Sequence, residues 1–239
     1  MPLRDHFHTN STLLKWERLH STWPVIMTQQ LNALLPDEYF ASPGIHLGTA
    51  MELDVAAYER ESGGWQPGPD AGGGVAVATW APAKPAVLLE TEFPEPSEYE
   101  VRIYTQDEYR LVAAIELVSP SNKDRPENRQ TFVNTCEAML KKGVCVTIVD
   151  LVTTRVPNLY GELLDELGAP RTAVANSLIY ATTCRGERSG LRWRLVAWEH
   201  ELAVGGVMPT LPIWLSKDFL VPLELEATYE DSCRALRIR

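Results

Sequence analysis

Two nearly uninterrupted apolar segments, RLVAAIELV (110–118) and VCVTIVDLV (144–152), flank a stretch with helical periodicity. The helix is expected to begin near Asp124 and Glu127, which have capping-box spacing, and to end at Gly143. Strands that are apolar on both faces are typical of the middle of a sheet covered by helices. A strand, a helix and a strand with short connections predict a parallel pair joined by a right-handed crossover. The chain is therefore expected to be α/β, with a mixed central sheet flanked by helices.

The N-terminal part adds two predicted helices and a predicted strand pair. Polar capping residues predict a helix over 10–20. The Thr-Trp-Pro motif of 22–24 predicts a second helix, because proline fits the first turn, and this helix should end before Pro36. Segments 39–47 and 51–58 then predict two paired strands around a short turn.

The remaining segments predict an insertion, a hairpin and a C-terminal extension. Residues 61–96 are rich in Gly, Pro and Ala, which is typical of a surface insertion, and we expect them to be the least ordered part of the chain. The segment 99–105 is expected to form a hairpin with 110–118. Residues 156–239 predict a helix over 158–167, followed by an antiparallel extension with a proline-punctuated loop and a short last helix. We interpret 1–239 as a single domain.

Composition narrows the function classes. The net charge of −10 argues against a general nucleic-acid coating protein, because an acidic chain gains little from counterion release, although a local basic groove stays possible. The four cysteines have no paired spacing, so a metal finger or redox motif is unsupported. No apolar stretch approaches the ~20 residues that cross a bilayer, and no signal peptide is evident. We expect a reduced, cytoplasmic protein with no membrane partner.

Two acidic residues interrupt predicted apolar strands. Asp54 lies in the second strand of the pair, and Glu116 lies near the end of 110–118. Two carboxylates near one sheet edge predict a site for Mg²⁺ or Mn²⁺, since Mg²⁺ prefers oxygen ligands. A nearby lysine would stabilise charge that develops on a phosphate or help to activate a water. Asp54 and Glu116 are therefore candidate metal ligands and catalytic residues.

The order of these elements resembles the core of the PD-(D/E)XK phosphodiesterase superfamily over about residues 10–155. The resemblance implies a restriction-endonuclease-like fold that acts on nucleic acid. It places Asp54 at the first acid and Glu116 at the second, and it implies that the backbone carbonyl of Leu117 also binds the metal. Glu17 would be the additional first-helix acid that some members use.

Two positions depart from the superfamily signature. Leu53 replaces the usual proline, and Val118 stands where the signature lysine belongs. Some members move this lysine, and Lys123 is the candidate here, with Lys141 behind it. Lys123 can reach the site only if the chain reverses beyond Pro120, which restricts the residue before it to extended geometry.

A closer resemblance is to a bacterial family, the domain of unknown function 4058. It rests on WERLHSTWP, YFASPGIHLG, ELDVAAYE, LVAAIELVSPSNKDRPENR, GVCVTIVDLVTTR, NLYGELL and MPTLPIWL, which are spread over nearly the whole chain. The turn ELVSPSNK also resembles that of Uma2-type endonucleases. This kinship implies a nuclease-like fold and leaves the activity open.

Three functions are compatible with these residues. The first is a Mg²⁺-dependent phosphodiesterase that acts on nucleic acid, with Asp54 and Glu116 as ligands and Lys123 as electrophile. The second is a binding or scaffold module that keeps the fold without catalysis, in which Glu116 and Lys123 simply pair. The third is a small-molecule hydrolase that uses His20 with Glu17, two residues expected to face inward from one helix.

Overall fold

The computed structural model of this chain describes residues 2–8, 15–46, 52–60, 84, 87–91, 109–189 and 192–238. Within them the fold is mixed α/β, with a mixed central sheet between helices. The helices are α1 (Trp16–Asn32), α2 (Pro120–Asp124), α3 (Pro126–Lys141), α4 (Leu159–Glu166) and α5 (Leu225–Ala235). The central strands are β1 (Tyr39–His46), β2 (Glu52–Arg60), β3 (Val87–Thr91), β4 (Tyr109–Leu117), β5 (Cys145–Asp150), β6 (Tyr180–Ser189) and β7 (Arg192–Glu201). A separate ribbon consists of β8 (Thr210–Trp214) and β9 (Leu220–Glu224).

A parallel pair, β4 and β5, lies in the middle of the central sheet. The described strands have the order β1-β2-β4-β5-β6-β7-β3, and their other neighbouring pairs are antiparallel. Ala113 of β4 lies opposite Cys145 of β5, and all six residues of β5 are buried. The predicted strand–helix–strand crossover with parallel strands is therefore confirmed.

The sheet separates two apolar layers, because successive side chains of a strand point to opposite faces. Ile115 and Leu117 of β4 belong to the layer that packs on α1 and α5. Ala114 and Val118 belong to the layer under α3 and α4. We call these the α1/α5 layer and the α3/α4 layer.

α1 is one continuous helix although Pro24 lies inside it, so the predicted second helix start at 22–24 is wrong. Proline lacks an N–H, and the helix therefore loses one backbone hydrogen bond at this point. A buried stripe with a spacing of three or four residues runs past the proline and holds both halves against the sheet. The stripe contains Trp16, Leu19, Trp23, Met27 and Leu31. The predicted caps at 10–12 lie outside the described residues.

Two further predictions from sequence need correction. β3 lies inside the predicted insertion 61–96 and is an edge strand paired with β7 among the described strands; apart from β3 and Lys84, that segment lies outside the described residues. The predicted hairpin partner of β4, 99–105, also lies outside the described residues. The proline-punctuated loop contains β8, where Pro212 lies opposite Pro222, an arrangement that needs no N–H between the strands.

Other elements agree with prediction. β1 and β2 are antiparallel, as are β6 and β7. α4 begins after Asn158, whose side chain accepts a hydrogen bond from the Gly161 N–H. Gly143 ends the crossover helix with a φ of 79°, a conformation that glycine adopts without steric cost.

Trp23 joins α1 to α5, and its truncation should destabilise the protein. The side chain is fully buried and its Nε1 donates to Thr228 Oγ1 at 2.9 Å. We expect Trp23→Ala to lower the free energy of unfolding by about 3–5 kcal/mol in urea denaturation. Val25→Ala, on the exposed side of the same helix, should change it by less than about 1 kcal/mol. Equal effects of the two substitutions would contradict this packing.

Candidate functional site

The chain reverses directly after β4, in the short helix α2. Ser119 is extended, with φ −96° and ψ 160°, as predicted for a residue before proline. Its N–H donates to Asn122 Oδ1 at 2.8 Å, which closes a capping box with the Ser119 side chain. The capping box predicted at Asp124 is wrong, since the residue that caps α3 is Arg125, without a side-chain hydrogen bond. The reversal turns Lys123 back toward the sheet.

Lys123 forms a buried ion pair with Asp150, the last residue of β5. Lys123 Nζ donates to Asp150 Oδ2 at 2.7 Å, and neither side chain has any solvent exposure. The second carboxylate oxygen of Asp150 accepts from the Val152 N–H at 2.9 Å. Lys123 was predicted to reach Glu116. In the structure its ammonium group bonds instead to Asp150, on the neighbouring parallel strand.

The environment of Asp150 raises the pKa of its carboxyl group. Burial raises the pKa of this carboxyl from 3.8 to about 6, while the charge and hydrogen bond of Lys123 and the Val152 N–H oppose the rise. At neutral pH the carboxylate is therefore ionised and bonded to the ammonium. Because the pair is fully buried, removing either partner would leave the other charge without compensation.

Glu116 lies on the same side of the sheet as this ion pair. It is opposite Ile148 in the parallel register, and Asp150 is two residues further along β5, so both acids are on the α3/α4 face. Glu116 has only 5% of its surface exposed. Burial raises the pKa of the Cys136 thiol on α3, and the charge of Glu116 adds to this rise, which is consistent with their closeness under the helix.

The backbone register brings the position of Asp54 next to Glu116. Val55 of β2 lies opposite Ile115 of β4, and the next residues beyond this pair are Asp54 on β2 and Glu116 on β4. The side chain of Asp54 lies outside the described part of the structure, so the register is what links the two acids.

Glu17 does not belong to this cluster. It is exposed on α1, which packs on the α1/α5 layer, and Glu116 is on the opposite face. The predicted inward-facing pair of Glu17 with His20 is therefore wrong. The ring of His20 instead lies 5.1 Å from that of Trp16.

The side chains at the other predicted site positions pack or form ion pairs within the fold. Val118 is fully buried, and its N–H donates to Val149 O at 2.9 Å, so the signature lysine position is part of the strand ladder. The side chain of Leu117 belongs to the α1/α5 layer. Lys141 pairs with Glu137 at 3.0 Å on α3 and is not part of the cluster.

Sequence reasoning missed Asp150. The signal was present, because IVDLV repeats the pattern of AIELV, an acid directly after an apolar run. Once the two strands are predicted to be parallel neighbours, the ends of both lie at one edge of the sheet. An acid at each end would then have been expected to share a cation.

The donor set suits a divalent cation in part. Glu116 and Asp54 are carboxylates, whose oxygen atoms Mg²⁺ prefers as ligands. Among the side chains that the structure describes, no group of three His, Cys, Asp or Glu is arranged to hold a metal ion. Lys123 is committed to Asp150 and has no exposed surface from which it could contact a phosphate.

Comparisons with models of protein families, with curated proteins and with solved structures find no match to this chain. In the described residues, no helix is long and apolar enough to cross a membrane.

The ion pair should be a structural requirement of this sheet edge. We expect Lys123→Met, which leaves Asp150 buried and unpaired, to lower the free energy of unfolding by about 3–5 kcal/mol. The double variant Lys123→Met/Asp150→Leu should recover most of the loss, because neither charge remains. Lys142→Met, which removes an exposed lysine, serves as the control and should cost less than about 0.5 kcal/mol. A cost below about 1 kcal/mol for Lys123→Met would contradict the buried pairing.

The raised pKa of Asp150 predicts a pH dependence of stability. Because its folded-state pKa of about 6 exceeds the ordinary 3.8, the folded protein binds this proton more tightly than the unfolded chain. This contribution is fully present below the unfolded pKa and is lost as pH rises from about 4 through 6, with a slope of at most about 1.4 kcal/mol per pH unit. Urea denaturation across this range should show the slope in the wild type and lose it in Lys123→Met/Asp150→Leu. The same slope in both proteins would assign it to other groups.

Proposed function

We propose that this chain is a nuclease-like protein whose Asp54 and Glu116 form a Mg²⁺-dependent phosphodiesterase site for nucleic acid. The observation that carries the proposal is the register of β2 and β4, in which an acid follows the Val55–Ile115 pair on each strand, Asp54 on β2 and Glu116 on β4. Continuation of this register would set the two carboxylates opposite each other, where like charges destabilise a sheet. A divalent cation between them would convert this repulsion into binding.

The order of the elements supports the fold part of the proposal. α1 precedes the antiparallel strands β1, β2 and β4, and α3 then crosses over to the parallel strand β5. This is the helix, strand and crossover order on which the resemblance to the PD-(D/E)XK core rests. It also fits the resemblance to the domain of unknown function 4058 and to Uma2-type endonucleases.

Each residue then has a distinct role. Asp54, Glu116 and the carbonyl oxygen of Leu117 would hold the cation. When bound, Mg²⁺ would polarise a phosphate oxygen and lower the pKa of a bound water. Lys123 is a positioning residue, because its fully buried bond to Asp150 holds α2 against the end of β5.

A second function is favoured by the same ion pair. The candidate for the missing signature lysine is neutralised by Asp150 at 2.7 Å, and Val118 is buried at the signature position. Without a cation that reaches the substrate, the chain would keep the nuclease-like fold as a non-catalytic binding or scaffold module.

Metal titration and plasmid cleavage distinguish the two functions. We expect calorimetry with Mn²⁺ to show one or two saturable sites, and we expect Mn²⁺-dependent nicking of supercoiled plasmid. Both should be lost in Asp54→Asn and in Glu116→Gln, because each substitution removes a charged ligand. Asp37→Asn, which removes an exposed acid from the loop before β1, is the matched control and should retain both.

The thermal unfolding of each variant is measured as well, so that loss of metal binding or nicking can be distinguished from loss of folding. Saturable metal binding without nicking supports a metal-binding scaffold and rejects the phosphodiesterase. Neither binding nor nicking in the wild type rejects the metal site altogether. Loss of activity in Asp37→Asn as well would show that the effect is not specific to the paired acids.

A further inference from the structure

A cavity of about 670 Å³ lies on the face of the sheet opposite to Glu116 and Asp150. Its lining includes Val112 of β4 and Cys145 of β5, which are near the starts of these strands, and Trp214 at the end of β8. Glu116 and Asp150, which we call the acid cluster, lie at the other ends of the same two strands. Cavities of about 300–1,000 Å³ are the usual size for small-molecule sites.

The lining of the cavity is basic although the chain is acidic. Arg110, Arg185, Arg194 and Lys217 line it, against a single acid, Glu187. The net charge of the whole chain is −10. Concentrating cations in one concave surface raises the local concentration of an anionic ligand.

Arg185, one of the lining residues, is held by ring stacking and by hydrogen bonds. Its guanidinium carbon lies 3.7 Å from the ring centroid of Trp214 and 5.6 Å from that of Trp198. It also donates to the carbonyl oxygen of Lys217 at 3.0 Å and to the carboxylate of Glu187. A guanidinium fixed by stacking and two hydrogen bonds loses little further freedom when a ligand binds.

Two donors in this lining are buried. Arg185 Nε and Trp214 Nε1 have almost no accessible surface, and within the described residues neither has a hydrogen-bond partner. The Arg185 side chain keeps 15% of its surface exposed, so a ligand would contact its other guanidinium N–H groups rather than Nε. Oxyanions offer several acceptor oxygens on one small group, and guanidinium groups bind them in a bidentate fashion.

Arg194 lies where it can act on the same ligand as Arg185. In the β6–β7 register Arg194 is opposite Glu187, and Glu187 is two residues from Arg185 on the same face of β6. The two arginines are therefore diagonal neighbours on one face, a separation that long side chains can bridge.

We propose that the cavity formed by Arg110, Arg185, Arg194 and Lys217 beside Trp214 binds the phosphate group of a small molecule. The site is separate from the Asp54–Glu116 pair, and its function does not depend on the proposed phosphodiesterase activity. It gives the protein a way to sense or carry a phosphorylated ligand on the face that the acid cluster does not use.

Calorimetry with inorganic phosphate and with pyrophosphate, at constant ionic strength set with chloride, tests this site. We expect saturable binding and a higher melting temperature in phosphate than in the matched chloride buffer. Arg194→Gln/Lys217→Gln should weaken binding by about tenfold or more, because two charge-assisted contacts are lost. Arg125→Gln/Lys142→Gln removes the same charge from exposed positions outside the cavity and should bind like the wild type.

Three results would overturn the proposal. The first is no saturable binding of either anion by the wild type. The second is equal weakening in the two double variants, which would indicate general charge attraction. The third is tight binding of a short single-stranded oligonucleotide through Arg194 and Lys217 without binding of either free anion, which would assign the surface to nucleic acid. Should the cavity double variant unfold, Lys217→Gln alone, at an exposed position, provides the same comparison.

Discussion

The buried ion pair of Lys123 with Asp150 fixes the edge of the sheet on which the candidate site depends. Taking two charges out of water costs several kcal/mol per ion, and the cost is offset only when the pair has good geometry and its remaining oxygen is also bonded. Here the bond is 2.7 Å long and the second Asp150 oxygen accepts from the Val152 N–H. Because Lys123 follows β4 and Asp150 ends β5, the pair ties the exits of the two parallel strands together. α2 and the start of α3 are positioned by this contact, and so is the covered surface around Glu116.

The two faces of the central sheet have different chemistry. The α3/α4 face carries Glu116 and the Lys123–Asp150 pair. The opposite face carries the arginine-rich cavity around Arg185, at the starts of β4 and β5. One face therefore carries buried acids and the other carries a cluster of basic side chains. This division explains how an acidic chain can hold a strongly basic site, since the charges are separated by the buried sheet rather than mixed on one surface.

Several elements follow from the sequence because local chemistry and burial agree there. The apolar runs around Ile115 and Ile148 predict buried neighbours, Gly143 predicts the end of the crossover helix, and Asn158 predicts the start of α4. The predictions that were wrong concern positions where tertiary contacts override a local signal. Pro24 is a strong local signal for a helix start, but the buried stripe from Trp16 to Leu31 overrides it. Pro212 is likewise typical of a loop, and pairing with β9 allows a strand there because the ribbon does not need its N–H.

The candidate site also combines features that follow from the sequence with features that only the tertiary structure decides. From the sequence alone, Asp54 and Glu116 are acids within apolar strands, and Pro120 keeps Ser119 extended, so that any reversal of the chain comes after it; these are local properties of the chain. The choice of Asp150 over Glu116 as the partner of Lys123 was decided only by the tertiary structure, because it depends on which strand ends lie within reach of the folded turn. The same holds for the cavity around Arg185, whose cations come from β4, β6, β7 and the turn after β8. Residues far apart along the chain converge only when sheet order and register are set, and no local pattern specifies that order.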